Sequence, residues 1–138
     1  MHWAAKRGDV EILRYLHEKG AVANVAATTD ANLLPIHWAA AEGKMDAVGF
    51  FLDIGQDINT QDSNGCTPSV IAVQFNQVDT LIYLARRNAD LTMVDHNSDH
   101  CLHWAAYKGY DELIELVLYF IPQELNTCDT FGQVSVFC

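Results

Sequence analysis

A chain of 138 residues with eight Lys and Arg against eighteen Asp and Glu carries a formal charge of −10. That balance argues against nucleic acid and against contact with an anionic membrane, since both need clustered positive charge. Half of the residues are hydrophobic, enough for the core of one domain and too many for a disordered segment.

The longest plain apolar run is 116–121, far short of the roughly 20 residues of a membrane span. Met1–Gly8 holds no signal-peptide core. Cys66, Cys101, Cys128 and Cys138 show no CxxC spacing and read as reduced thiols of a cytoplasmic protein. The charge is uneven: residues 1–28 hold four basic and three acidic residues, so the remainder is strongly negative.

Taken along the chain, the elements repeat. His2-Trp3-Ala4-Ala5 returns as His37-Trp38-Ala39-Ala40 and as His103-Trp104-Ala105-Ala106, at spacings of 35 and 66. Midway through the longer gap lies a degenerate copy, Val70-Ile71-Ala72-Val73. Gly8, Gly43, Asn76 and Gly109 follow each copy in step, and then Gly20, Gly55 and Asn88. Asn24, Asn59, Thr92 and Asn126 come next, and then the turn formers Asp62-Ser-Asn-Gly65, Asp95-His-Asn and Asp129-Thr-Phe-Gly132. A fixed period near 33 residues is the mark of a stacked repeat protein.

Each unit reads as helix, turn, helix, loop. In the second, Pro35 suits a first helical turn, where its missing N–H is no loss. Gly43 supplies a left-handed residue behind the short helix. Met45–Asp53 follows as a second helix, with Val48, Phe51 and Leu52 at helical spacing, and Gly55 closes it. Asp57-Ile-Asn59 leads into an extended arm and a turn at 62–65. Thr67 can cap the helix of the third unit. The units run at about 1–28, 29–61, 62–94 and 95–128, with a truncated fifth at 129–138, all in one domain over 1–138. The junction from Asn24 to Pro35 is two residues longer than that from Asn59 to Pro68 and predicts a longer finger. Both ends read as cut: Met1 falls after the expected helix start, and Val134, Val136 and Phe137 begin a helix without a partner.

Thr-Pro-x-x-x-Ala, Gly, then Gly-x-Asp-x-Asn at this period resembles the ankyrin repeat along the whole chain. The resemblance implies an all-α solenoid of helix-turn-helix units with extended β-turn fingers. Such units bury their apolar stripes only by stacking.

Little in the chain suggests catalysis. The His column (His2, His37, His103) has the wrong spacing for a zinc site, and in ankyrin repeats this His makes structural hydrogen bonds to backbone. His96, His100 and Cys101 lie close together but fall at a finger tip with no second ligand pair. No cysteine sits in a nucleophile setting, and no phosphate loop is present. Catalytic residues, metal ligands and cofactors are therefore expected to be none.

The Trp column carries more. Trp3, Trp38 and Trp104, with Ile71 in the third unit, lie on the first helices, which line the concave side of such a solenoid. Most ankyrin sequences have Leu there. Large aromatics in a row suit partner binding, and packing between repeats is the alternative. Tyr107, three residues after Trp104, extends the surface. Arg7 and Glu42 are its polar rim. Asp62, Asp95 and Asp129 read as turn formers; the alternative is that, together with Asp57 and Asp90, they give the fingers a negative face that prefers basic partners.

Cys101-Leu-His-Trp-Ala-Ala-Tyr-Lys-Gly109, Gly55-Gln-Asp-Ile-Asn59 and Asn64-Gly-Cys-Thr-Pro68 resemble the N-terminal ankyrin domain of the DHHC-type protein S-acyltransferases. That resemblance implies a domain that recruits protein substrates as extended segments in the concave groove, ahead of a membrane-embedded catalytic part. Trp38 matches a tryptophan important in that groove. Arg7 stands where the family has Asn, and the third unit lacks both His and Trp. Asp99-His100-Cys101 is not the catalytic Asp-His-His-Cys motif. The chain is thus expected to be a monomeric, non-catalytic arm in the cytoplasm or at the cytoplasmic face of a membrane. The alternative is a general ankyrin scaffold or spacer, with partners on the fingers or convex helices.

Overall fold

In a computed structural model, residues 2–20 and 33–120 are described. The longer first finger, Asn24, Asn126, Asp129, Cys128, Cys138 and the fifth unit at 129–138 lie outside them. Eight helices occupy the described residues. They are α1 (His2–Arg7), α2 (Val10–Glu18), α3 (Pro35–Ala41), α4 (Met45–Asp53), α5 (Pro68–Gln74), α6 (Val78–Arg86), α7 (Cys101–Lys108) and α8 (Asp111–Phe120).

Local chemistry sets the boundaries. Pro35 and Pro68 occupy the first turns of α3 and α5. The Thr67 hydroxyl oxygen caps α5 by accepting from the Val70 N–H at 3.3 Å. Asp9 does the same for α2 through Ile12. The turn between the two helices of each unit needs a left-handed residue, and Gly8, Gly43, Asn76 and Gly109 hold φ between 56° and 73° there. Asn at 76 serves because Asn tolerates this conformation better than other non-glycine residues.

The short helices stack on one another, α1 on α3, α3 on α5 and α5 on α7; the longer helices stack likewise, α2 on α4, α4 on α6 and α6 on α8. Two layers result. Ala4, Ala5, Ala39, Ala40, Ala72 and Ala105 are buried in the short-helix layer, and their small size lets successive helices approach. Between the layers Leu13, Phe51, Leu81, Leu84, Leu113 and Val117 fill a continuous core. This is an all-α solenoid.

The fingers that follow the second helices are stitched by hydrogen bonds. Asp62 Oδ1 accepts from the Asn64 and Cys66 N–H groups at 2.8 and 2.9 Å. Asp95 Oδ1 repeats this with Asn97 and Asp99 at 2.8 and 3.0 Å. Adjacent fingers join through the His96 N–H to Asn64 O at 2.9 Å and the Asp90 N–H to Asn59 Oδ1 at 2.9 Å. Asp62 and Asp95 are buried. They form the turns as expected, but they do not give the fingers a negative face, because their carboxylates point into the turn amides. Asp57 and Asp90 are exposed.

Candidate functional site

The His column is structural where its bonds are seen. His37 is fully buried, and its Nε2–H donates to the carbonyl oxygens of Thr60 and Cys66 at 3.0 and 2.9 Å. It thereby ties the short helix to the following finger. Both partners are acceptors, so the proton is on Nε2 and the ring is neutral. Burial lowers its pKa below the usual histidine value, outweighing the Asp62 charge and the two carbonyls, which act in the opposite sense. Its Nδ1 has no hydrogen-bond partner among the described residues. In the fourth unit the column histidine His103 is joined by His100, at the position Thr67 holds in the third. His103 Nδ1 accepts from the His100 N–H at 3.2 Å, and His100 Nδ1 accepts from the Leu102 N–H at 3.1 Å. The two form a capping box for α7.

Burial disfavours the thiolate form of both described cysteines. Cys101 is fully buried, and burial pushes its thiol up to about 12. Cys66 is pushed to about 12 by burial and then by the carboxylates of Asp62 and Asp95. No group of three His, Cys, Asp or Glu side chains among the described residues could hold a metal ion. No helix among them is long and apolar enough to cross a membrane.

The aromatic column lies on the short-helix layer, graded in exposure. Trp3 is 61% exposed and Tyr107 81%. Trp38 and Trp104 are half-buried against the core. Ile71 is 3% exposed, so the third unit presents little at that position. Its place is taken by Phe75, four residues on and 54% exposed, in the same column as Arg7 and Glu42. Sequence reasoning missed Phe75. The signal was available, since one turn beyond Ile71 falls on the same helix face.

Cations and edges fix the rings. Arg7 lies over the Trp3 ring at 4.8 Å, and Lys6 Nζ over the Trp38 ring at 5.2 Å. Trp104 and Tyr107 meet edge-to-face at 6.1 Å. Trp104 donates its Nε1–H to Asp95 Oδ2 at 3.1 Å, whereas the buried Trp38 Nε1 finds no acceptor among the described residues. Asp99, His103, Trp104, Tyr107 and Lys108 line a hollow of about 760 Å³ at the far end of the layer. The arrangement offers flat aromatic faces with donors beside them.

The family described as "Ankyrin repeats (3 copies)" matches residues 1–62 and 36–129. Among curated proteins, the chain is 29% identical to "Palmitoyltransferase AKR1" of Lachancea kluyveri over 87% of its own length and 17% of that protein. It is 31% identical to "Probable E3 ubiquitin-protein ligase XBOS32" of Oryza sativa subsp. japonica over 89% of its length and 25% of that protein. It is 37% identical to "Palmitoyltransferase Hip14" of Drosophila melanogaster over 49% of its length and 10% of that protein. The chain therefore spans a quarter or less of each of these relatives.

Proposed function

The chain belongs to the ankyrin-repeat family, whose repeats are protein-interaction modules, and from that premise we propose that its short-helix face captures an extended peptide segment of a protein partner. In the parent protein it recruits substrates or partners for a palmitoyltransferase-like enzyme, in the cytoplasm or at the cytoplasmic face of a membrane. The observation that carries the groove reading is the row of exposed or half-buried rings, Trp3, Trp38, Phe75, Trp104 and Tyr107, along one layer. Large rigid rings are the side chains most often found at binding hot spots. Ile71 contributes packing beneath the row, and Arg7 and Glu42 its rim.

The test is the affinity of peptides selected on this domain, measured by fluorescence polarisation against variants. Trp38→Ala and Trp3→Ala are each expected to weaken binding about tenfold or more, with Trp3→Ala leaving the melting curve nearly unchanged. Asp57→Lys on an exposed finger is expected to leave binding intact. The reverse pattern overturns the groove in favour of a scaffold that binds through its fingers.

The E3 ubiquitin-protein ligase relative, as similar as the palmitoyltransferases, favours a second reading of the parent: a general ankyrin scaffold joined to other chemistry. Coding sequence beyond Cys138 with about four apolar spans of roughly 20 residues around an Asp-His-His-Cys segment supports the acyltransferase context. Further repeats and a soluble tail there overturn it.

A further inference from the structure

The two helix layers carry opposite charge. The short helices α1, α3, α5 and α7 hold Lys6, Arg7 and Lys108 and no acidic residue. The long helices α2, α4, α6 and α8 hold eight acidic residues and two basic ones, Arg14 and Arg86. The turns joining the layers add Asp9, Glu42 and Lys44. In a chain of net charge −10 the short helices themselves are thus cationic, bordered by Glu42 and by fingers that carry the exposed Asp57 and Asp90.

None of these cations is in an ion pair seen among the described residues. Lys6, Arg7 and Lys108 are exposed. The ion pair seen among the described residues is Arg87 with Asp53, at 3.7 Å on the other layer. Lys6 and Arg7 instead rest on the faces of Trp38 and Trp3. A guanidinium stacked on a ring keeps its N–H edge available to a carboxylate. At the opposite end, Lys108 shares its hollow with Asp99, which offsets its charge. The face is therefore graded, cationic over α1 and α3 and mainly aromatic over α5 and α7, where Phe75, Trp104 and Tyr107 lie.

We propose that the partner is an acidic extended segment of a protein, its carboxylates over Lys6 and Arg7 and its apolar side chains over Phe75, Trp104 and Tyr107. This rests on the groove reading above and specifies the ligand class. The negative outer layer repels such a segment and leaves the short-helix face as the attractive approach.

A random peptide-display library supplies the probe. Selection on the wild-type chain is expected to enrich Asp and Glu at one end of the binders and aromatic or aliphatic residues at the other. Binding of these peptides is expected to fall about tenfold or more in K6E/R7E, and to weaken as salt rises. Selection on K6E/R7E, whose altered side chains are exposed, is expected to lose the acidic enrichment. Binders that depend on Trp38 but show no acidic enrichment and no salt dependence overturn the acidic partner and leave the groove standing. Binders that respond to Asp57→Lys and not to Trp38→Ala, or a library that yields none, overturn both.

Discussion

Trp104 donates its indole N–H to Asp95 Oδ2 at 3.1 Å, nine residues back along the chain, and the same register one unit earlier sets Asp62 against Ile71. Isoleucine has no donor, and among the described residues Asp62 Oδ2 is left buried without a hydrogen-bond partner. Two aspartates that form the same turn thus sit in different electrostatic surroundings. One carboxylate is satisfied at both oxygens; the other is satisfied at one.

Asparagine at each position separates the two. Either Asn keeps an oxygen for the turn amides and puts an NH₂ where Oδ2 was. In Asp95→Asn that NH₂ faces the Trp104 donor, so stability should fall by about 1–2 kcal/mol. In Asp62→Asn the NH₂ replaces an oxygen that accepts no hydrogen bond among the described residues, so the loss should be smaller than in Asp95→Asn. Urea denaturation of the two variants checks the ranking, and equal losses would refute it.

Ser98 holds φ +66° at the position where the preceding finger has Gly65 at +81°. A side chain in this conformation costs about 1–2 kcal/mol, offset in part by the greater freedom of glycine in the unfolded chain. Ser98→Gly should raise stability by up to about 1 kcal/mol. Gly65→Ala should lower it by about 2 kcal/mol or more, since the new Cβ would also lie 2.9 Å from the His96 backbone nitrogen and 2.7 Å from its ring. Thermal melts of both variants, one rising and one falling, are the expected result.

Acid should loosen the fold through His37. Its folded pKa is lowered from 6.5, mainly by burial, so the unfolded chain binds the proton more readily. The stability that a neutral His37 contributes is present above about pH 6.5 and is lost as pH falls below it toward the folded value. The urea midpoint of the wild type should drop through this range. In His37→Gln, less stable overall, the drop should be shallower.

The thiols of Cys66 and Cys101 should resist alkylation in the folded protein at neutral pH, because their pKa values lie near 12 and Cys101 is fully buried. Mass spectrometry after iodoacetamide treatment should find both unlabelled until urea unfolds the chain. Rapid native labelling of Cys101 would reopen a chemical role for Asp99-His100-Cys101.

Much of this architecture was legible in the residues. The helix at Met45–Asp53, the cap at Thr67 and the left-handed positions at Gly8, Gly43, Asn76 and Gly109 follow from short-range chemistry, and the structure reproduces them. What escaped depends on which way a side chain turns. Asp62 and Asp95 are legible as turn formers, but their burial is not, because it depends on the neighbouring finger. Ile71 occupies the Trp column but is covered by its neighbours, and Phe75 emerges one turn later in its place. The charge difference between layers is also hidden, because it shows only when residues are sorted by helix and not by position along the chain.

The stitched fingers have a mechanical consequence. Each unit leans on the next through its stacked helices and finger bonds such as His96 N–H to Asn64 O, and a stack of this kind is held by nearest-neighbour terms. Pulled at its two ends, it bears load in series. The units should peel away one after another at similar modest forces, giving a compliant tether in place of a single brittle rupture.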